Sequence, residues 1–400
     1  MSAPVGYILA LNAGSSSLKF ALFETTSLAC VLRGSFGGLD SKLAFKAQGT
    51  LLEQGMMQLP DVASIDRTIA ATVQVLVHWL GKLLPEGALQ AIGHRVVHGG
   101  RFTEPKLVDP DSLTYLEALV PLAPMHQPTS LKNIQLFAYL HPNIPQIACF
   151  DTMFHATVPD LHRRFALPRV WYDRGVQRYG FHGLSYEYVA GQLRQCAPAA
   201  FSGNTIIAHM GSGASLCALK NGKSFETSMG FSALDGLMMG TRPGTLDAGV
   251  MLYFMQVAGM DAAAIEHLLY RESGLLGVSG ISADMKTLLA STTLTAREAI
   301  ELFCLRITRE AGALVSMLGG LDAFVFTGGI GEHSPAIRKS VAQNLGWAGL
   351  RLDEAANAAG EGAAKTSLLS TPQSGTSIWM MPTDEEAIIA QHTLDVLSKT

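Results

Sequence analysis

The sequence predicts an α/β protein of two related domains, with helix-covered sheets and ligands held in loops beyond the strand ends. Three observations carry this. Short β-prone runs pass straight into glycine-rich, hydroxyl-rich or acidic turns at three places: YILALNAGSSSLKF from Tyr7, NTIIAHMGSGASLCAL from Asn204 and AFVFTGGIGEHS from Ala323. Segments of helical period alternate with such runs. The first two runs also match without gaps: LNAGSSSLKFAL from Leu11 lies over AHMGSGASLCAL from Ala208, pairing Gly14 with Gly211, Ser15 with Ser212, Ala21 with Ala218 and Leu22 with Leu219. An offset of 197 residues in a chain of 400 is too long for a solenoid. It suggests two related domains, each opening with a hairpin whose turn faces a common cleft.

Each of the three β-prone runs is expected to be a strand ending in an exposed loop. Between the first and second, AIGHRVVHGG alternates as a strand, placing Arg95 and Val97 on one face and His94, Val96 and His98 on the other. Thr129 to His141 carries Leu131, Ile134, Phe137 and Leu140 at near-helical spacing, and the strand IPQIACFDT follows, ending at Asp151. Thr295 to Leu318 opens with the capping-box pattern Thr295-x-x-Glu298, keeps Ile300, Phe303, Ile307, Ala311 and Leu314 on one side, and stops at Gly319-Gly320. The Ala/Gly/Ser-rich stretch from Ala355 to Ser377 reads as surface helix plus loop.

Composition narrows the ligand class. The chain is 48% hydrophobic and 16% charged, so it buries a large core and is not disordered. Lys+Arg 29 against Asp+Glu 33, with no run of like charge, leaves no footprint for nucleic acid and points to a small-molecule ligand. Mean hydropathy is +0.24, yet no apolar stretch approaches the roughly 18 residues of a membrane span. The opening MSAPVGYILALNAG has no basic segment before its apolar run, so a cytoplasmic protein is expected. Five scattered cysteines without CxxC spacing suggest neither disulfides nor zinc, and are expected to be buried small hydrophobes.

Backbone N–H groups of Gly/Ser turns can converge on phosphate, and three such turns imply a polyphosphate. The standard motifs fail. CALKNGKS from Cys217 lacks the first glycine of a P-loop, and both Gly211-Ser212-Gly213 and Gly329-Ile330-Gly331 lack the third glycine of a dinucleotide fingerprint. Arg95 beside Val97 reads either as a grip for a carboxylate with a short alkyl tail or as an edge-strand arginine paired with an acid. His94 and His98 lack the glutamate of a zincin helix. His182 in YGFHGLSYEYV and Arg242 in MMGTRPGTLDAG stand in turn-rich segments of the kind that present side chains to a cleft. Asp151, Glu385 and Glu386 are the acidic candidates, and Mg²⁺ needs only one or two protein carboxylates.

Seven segments in order, LNAGSSSLKF, HRVVHGG, FDTMFH, YGFHGLSY, MMGTRPGTLD, FTGGIGEHS and PTDEEAIIA, closely resemble the acetate kinase family over nearly the whole chain. The resemblance implies the actin-like fold shared with sugar kinases, its duplicated core accounting for the internal repeat. It implies a homodimer with a nucleotide cleft between two domains, residues 1–150 with 385–400 and residues 151–384. It also implies Mg²⁺-dependent phosphoryl transfer from ATP to acetate, giving acetyl phosphate and ADP, with Mn²⁺ able to replace Mg²⁺. Carried over by motif, Asp151, His182 and Arg242 are the catalytic set, and Asn12 and Glu385 serve the metal. Arg95 binds the carboxylate, with Val97, Met125, Phe181 and Ala233 around the methyl group. Ser15, Ser17, Lys19, His209, Met210, Gly211, Ser212, Gly213, Asp284, Met285, Lys286, Gly329, Ile330, Gly331, Glu332 and His333 surround ATP. Ser212, Ala233, Pro243 and Lys286 depart from the family's commonest residues. The alternatives are a propionate or butyrate kinase with the same machinery, and a non-catalytic nucleotide switch on the same fold.

Overall fold

The computed structural model describes residues 5–14, 17–38, 43–53, 60, 62, 65–66, 68–362 and 365–399; Ser15 lies outside these. The chain divides into two compact units, Met1–Met153 with Asp384–Thr400, and Phe154–Thr383. The boundary thus falls after Met153, and Asp151 stands with the first unit.

The first unit is built on a sheet of β1 (Tyr7–Ala13), β2 (Ser17–Glu24), β3 (Cys30–Gly37), β4 (Ala44–Gln48), β5 (Leu89–Val96), β6 (Lys106–Leu107) and β7 (Gln146–Phe150). Its order is β4-β3-β2-β1-β5-β7-β6. β1 and β2 form the expected hairpin, with Ala13 opposite Leu18, while β1, β5 and β7 run parallel. Every residue of β1 is buried, as a central strand covered on both faces requires. Phe20, Phe36, Phe45 and Trp79 interlock on one face, Phe36 and Phe45 with ring centroids 4.6 Å apart. On β5, Gly93 leaves room for helix Glu385–Leu397: a Cβ there would stand 2.6 Å from Ile389 Cγ2.

The second unit repeats the pattern with β8 (Asn204–Met210), β9 (Ala214–Lys220), β10 (Lys223–Thr227), β11 (Ala323–Thr327), β12 (Ser367–Leu368) and β13 (Ser377–Met380), in the order β10-β9-β8-β11-β13-β12. The three antiparallel strands β8, β9 and β10 are followed across the sheet by β11 and β13, parallel to β8. The same sequence of pairings joins β1, β2 and β3 to β5 and β7. The short sequence match therefore marks equivalent hairpins in two sheets of the same topology.

Four local expectations change. The segment after β11 is no exposed loop: Gly328–His333 is a short helix that starts at once, with Gly328 and Gly331 buried. The long helix spans Leu294–Leu318 and is capped by Thr293, whose side chain accepts from Ala296 N–H, so the Thr295 capping box does not form. Of the cysteines, Cys149, Cys217 and Cys304 are buried but Cys30 and Cys196 are exposed. The stretch from Ala355 begins within helix Glu354–Ala359 and adds β12, a pairing that composition alone did not suggest. No described helix is long and apolar enough to cross a membrane.

Candidate active site

In the first unit the ends of three adjacent parallel strands gather the polar groups. Leu11 pairs with His94 and Val96 with Phe150, so Asn12, Arg95 and Asp151 come side by side just where the strands stop. Arg95 donates from Nε to Asp151 Oδ1 at 3.0 Å and from Nη2 to Oδ2 at 2.6 Å, a two-pronged pair. Its Nη1 donates to Asn12 Oδ1 at 3.1 Å. Asn12 Nδ2 in turn donates to Glu385 Oε2 at 2.8 Å and Glu386 Oε1 at 2.9 Å. Burial alone would disfavour the Arg95 charge, but Asp151 and Glu385 more than offset it and hold the guanidinium protonated above the ordinary arginine range.

Glu385 and Glu386 reach Asn12 because their helix, capped by Asp384 accepting from Ala387 N–H, lies close over Gly93. Acids in a first helical turn also meet the positive end of the helix dipole. Burial pushes the Glu386 carboxyl up, against the pull of Lys19. Four carboxylates, Asp151, Asp384, Glu385 and Glu386, stand against three cations, Lys19, Arg33 and Arg95, with Arg33 paired to Asp384. Oxygen donors with negative charge in excess suit a hard divalent cation such as Mg²⁺, which takes only one or two protein carboxylates and fills its remaining positions with water and phosphate oxygens.

Val97 is buried beyond β5, and Met125 lies on the neighbouring segment. Gln127 ties the two together: its Oε1 accepts from His98 N–H at 3.1 Å and its Nε2 donates to His98 O at 3.0 Å. The nearby histidine His94 is bonded to Gln146 Oε1 at 2.7 Å, and no cluster of three or more His, Cys, Asp or Glu with metal-holding geometry occurs among the described residues.

In the second unit His182 and Arg242 converge on the β8–β9 turn. A Cβ on Gly213 would lie 2.8 Å from Arg242 Nη2 and 3.1 Å from His182 Nε2. The loop bearing Arg242 is fastened to that turn by Gly240 N–H, which donates to Ser212 O at 3.0 Å. Arg242 Nη1 donates to Ala233 O at 2.6 Å, and Arg242 makes no ion pair with any described residue. Burial pushes its guanidinium down to about 10, the mark of a cation lacking a counter-charge. Such a group, beside an imidazole and backed by glycine, is of the kind that can receive an anion.

His182 takes a left-handed backbone, φ 60° and ψ 22°, at the start of helix Gly183–Cys196. Unflagged by the sequence, His155 holds this turn. Its Nε2 bonds Phe181 O at 3.0 Å, its Nδ1 bonds Ser224 Oγ at 2.8 Å, and its ring fills the space of a Cβ on Gly180, where φ is +75°. Burial lowers His155 to about 4, so it is neutral near pH 7. The His182 ring stacks on His209 at 4.4 Å, and His209 Nδ1 bonds Ser185 Oγ at 2.8 Å.

The other expected nucleotide contacts are placed less directly. Asp284 caps helix Met285–Ala290 by accepting from Thr287 N–H, with Met285 buried and Lys286 exposed. Glu332 Oε1 accepts from Gly328 N–H at 3.0 Å and Thr383 N–H at 3.2 Å, bracing its own loop, while Gly329 and His333 are exposed. Ser17 and Lys19 lie at the start of β2, Lys19 exposed.

These features fit a phosphotransferase of the carboxylate kinase class: a carboxylate-rich, arginine-centred cluster at three strand ends of one unit, and an arginine and a histidine meeting at a glycine turn of the other. A sequence model described as the Acetokinase family matches residues 7–391. An acetate kinase of Rhodopseudomonas palustris is 50% identical over 395 residues, covering 96% of this chain and 97% of that one. Among solved structures, a propionate kinase from Francisella tularensis superposes with TM-score 0.86 at 33% identity, covering 98% of this chain and 99% of that one. The acetate kinase of Porphyromonas gingivalis superposes with TM-score 0.81, also at 33% identity, covering 98% and 100%. The chain belongs to the acetokinase family and has its actin-like fold. Its activity is that of an ATP-dependent carboxylate kinase acting on acetate.

Proposed function

We propose that the reaction proceeds by direct in-line attack of an acetate oxygen on the γ-phosphorus of ATP, reversibly giving acetyl phosphate and ADP. Acetate is ionised at pH 7, so no general base is needed and catalysis reduces to alignment and charge. Three of the five Arg95 N–H groups are taken by Asp151 and Asn12, and the two that remain, one on each Nη, face the task of holding the acetate carboxylate. Val97, Met125, Phe181 and Ala233 are assigned to its methyl by motif. His182 and Arg242 donate to the equatorial oxygens of the transferring phosphoryl, offsetting the repulsion of two anions.

Asn12 and Glu385 would hold Mg²⁺, with Asp151 orienting its water. The ion supplies charge neutralisation on the phosphate oxygens, and Mn²⁺ can stand in for it. Ser17, Lys19, the 209–213 turn, Asp284 to Lys286 and Gly329 to His333 are assigned to ATP; Ser15 is assigned there by motif alone. A cytoplasmic homodimer is the form the family reading implies, and light scattering tests the dimer.

The observation that carries the reading is the unpaired Arg242 meeting His182 at Gly213. Hydroxylamine trapping of acyl phosphate, with ATP, Mg²⁺ and each of acetate, propionate and butyrate, tests it. Hydroxamate from acetate, lost in Arg95→Ala and Arg242→Ala, is expected; ATP binding without product from any short acid would leave a nucleotide switch. Propionate is a second candidate acceptor, because Ala233 stands where the family usually has proline and one methylene alters discrimination by only about 1–3 kcal/mol.

A further inference from the structure

Behind His182 lies a buried pair that none of the assigned roles uses. Tyr186, in the first turn of helix Gly183–Cys196 and donating its N–H to His182 O at 3.0 Å, is fully buried, and its hydroxyl lies 2.5 Å from Ser215 Oγ. Ser215, also fully buried on β9, bonds His182 Nδ1 at 2.7 Å. We propose that Tyr186 and Ser215 are positioning residues that fix His182 as the neutral imidazole protonated on Nε2, so that its one proton is offered beside Arg242 Nη2 at Gly213.

The direction of the chain follows from counting protons. A phenol must donate its hydrogen somewhere, and Ser215 Oγ is the one hydrogen-bond partner of the Tyr186 hydroxyl among the described residues. Burial holds the phenol well above its ordinary value, so it stays protonated. Were His182 to donate from Nδ1 to Ser215, either the serine proton would turn to Tyr186 and leave the phenol hydrogen without an acceptor, or Ser215 would accept from both and its own hydrogen would have none, a buried orphan costing about 1–3 kcal/mol in either case. With Tyr186 donating to Ser215, and Ser215 to Nδ1, every proton is placed. The imidazole's remaining hydrogen then sits on Nε2. An imidazolium, with both nitrogens donating, would break the same chain. His209, stacked on the ring at 4.4 Å, holds its plane. His182 thus contributes a directed donor while Arg242 contributes the charge.

This rests on the assignment of His182 to the transferring phosphoryl, but its test does not need activity. The protein is labelled with ¹⁵N-histidine, and His182 is identified by the signal lost in His182→Gln. Long-range ¹H–¹⁵N correlation without substrates is expected to show Nε2 protonated and Nδ1 bare. Tyr186→Phe, which removes a single oxygen, is expected to give a mixture of tautomers and a kcat lowered about tenfold, with KM for ATP and acetate within about twofold of wild type. Ser215→Ala should abolish the preference as well. A wild-type signature of Nδ1–H, or a Tyr186→Phe signature identical to wild type, overturns the proposal whether or not acetate is the acceptor. An altered signature in a protein inactive on every short acid would uphold it and fail the assignment of the reaction instead.

Discussion

Asp151 and Arg95 form a two-pronged ion pair at the ends of neighbouring parallel strands, Nε to Oδ1 at 3.0 Å and Nη2 to Oδ2 at 2.6 Å. The acid is nearly inaccessible, at 1% side-chain exposure, whereas the arginine retains 17%. Removing one partner of a buried pair strands the other charge, so an isosteric neutral probe informs more than a truncation. The pair also makes each residue's proposed role conditional on the other: Arg95 would meet a carboxylate with the N–H groups that Asp151 and Asn12 leave over.

Asp151→Asn keeps an oxygen for Arg95 and removes only the charge. If Asp151 orients a water of the metal, the Mg²⁺ concentration giving half-maximal rate rises about 10–100-fold, as for other outer partners of metal sites. Initial rates over an Mg²⁺ series decide it. Lost turnover with an unchanged Mg²⁺ profile would place Asp151 on the substrate instead.

Gly213→Ala puts a methyl 2.8 Å from Arg242 Nη2 and 3.1 Å from His182 Nε2. Both are ends of side chains, and the Gly213 φ is not left-handed, so the fold can yield without unfolding. The expected result is a kcat down by about 100-fold, the cost of misplacing a reacting group by about an ångström, with an unchanged melting temperature. A matching loss of stability would show that the methyl disturbs the hairpin rather than the two side-chain tips.

Three buried histidines set an acid limit. Burial lowers His94, His98 and His155 from 6.5 to about 4. Between those values the unfolded chain binds protons that the folded chain refuses, so the stabilisation is complete above about pH 6.5 and is lost as pH falls toward 4. At 1.36 kcal/mol per unit, each histidine contributes on the order of a few kcal/mol. Glu226, Glu310 and Glu386, raised by burial, act in the opposite sense. The measurement is therefore a comparison of urea midpoints at pH 7 and pH 5, where His94→Gln should flatten the fall. An equal slope in the variant would remove His94 as a cause.

The parts of the site legible in the sequence are those with a local signal. Strands ending in glycine turns, and the match of Leu11 to Ala208, foretold two hairpins of one topology because a turn's residue demands are written within a few positions. Arg95 by itself reads as a carboxylate grip or as an edge-strand ion pair, yet β5 is central, flanked by β1 and β7, and the acid is Asp151, 56 residues away, a contact that only strand order creates. Ser215 and His155 carry no local mark, since one is a strand serine and the other a histidine in a short turn. Thr295 misled because Thr293 offered the same cap two residues earlier, and the side chain that meets the first free N–H wins.

Gly93 joins stability to the proposed metal site. Its missing Cβ is what lets helix Glu385–Leu397 lie against β5, since Thr393 Oγ1 and Ile389 Cγ2 occupy that space. Gly93→Ala must push the helix outward, an overpacking worth about 1–3 kcal/mol. Because the same helix carries Glu385 and Glu386 to Asn12 at 2.8 and 2.9 Å, the displacement should also weaken the Mg²⁺ requirement site, raising half-saturation severalfold. Thr393→Ala, which clears one of the two obstructing groups, should restore part of both in the double variant, because neighbouring sites are not additive. Thermal melts and Mg²⁺ titrations of the two single variants and the double measure this coupling. Recovery of stability without recovery of the Mg²⁺ profile would separate the packing of this helix from the placement of its first two acids.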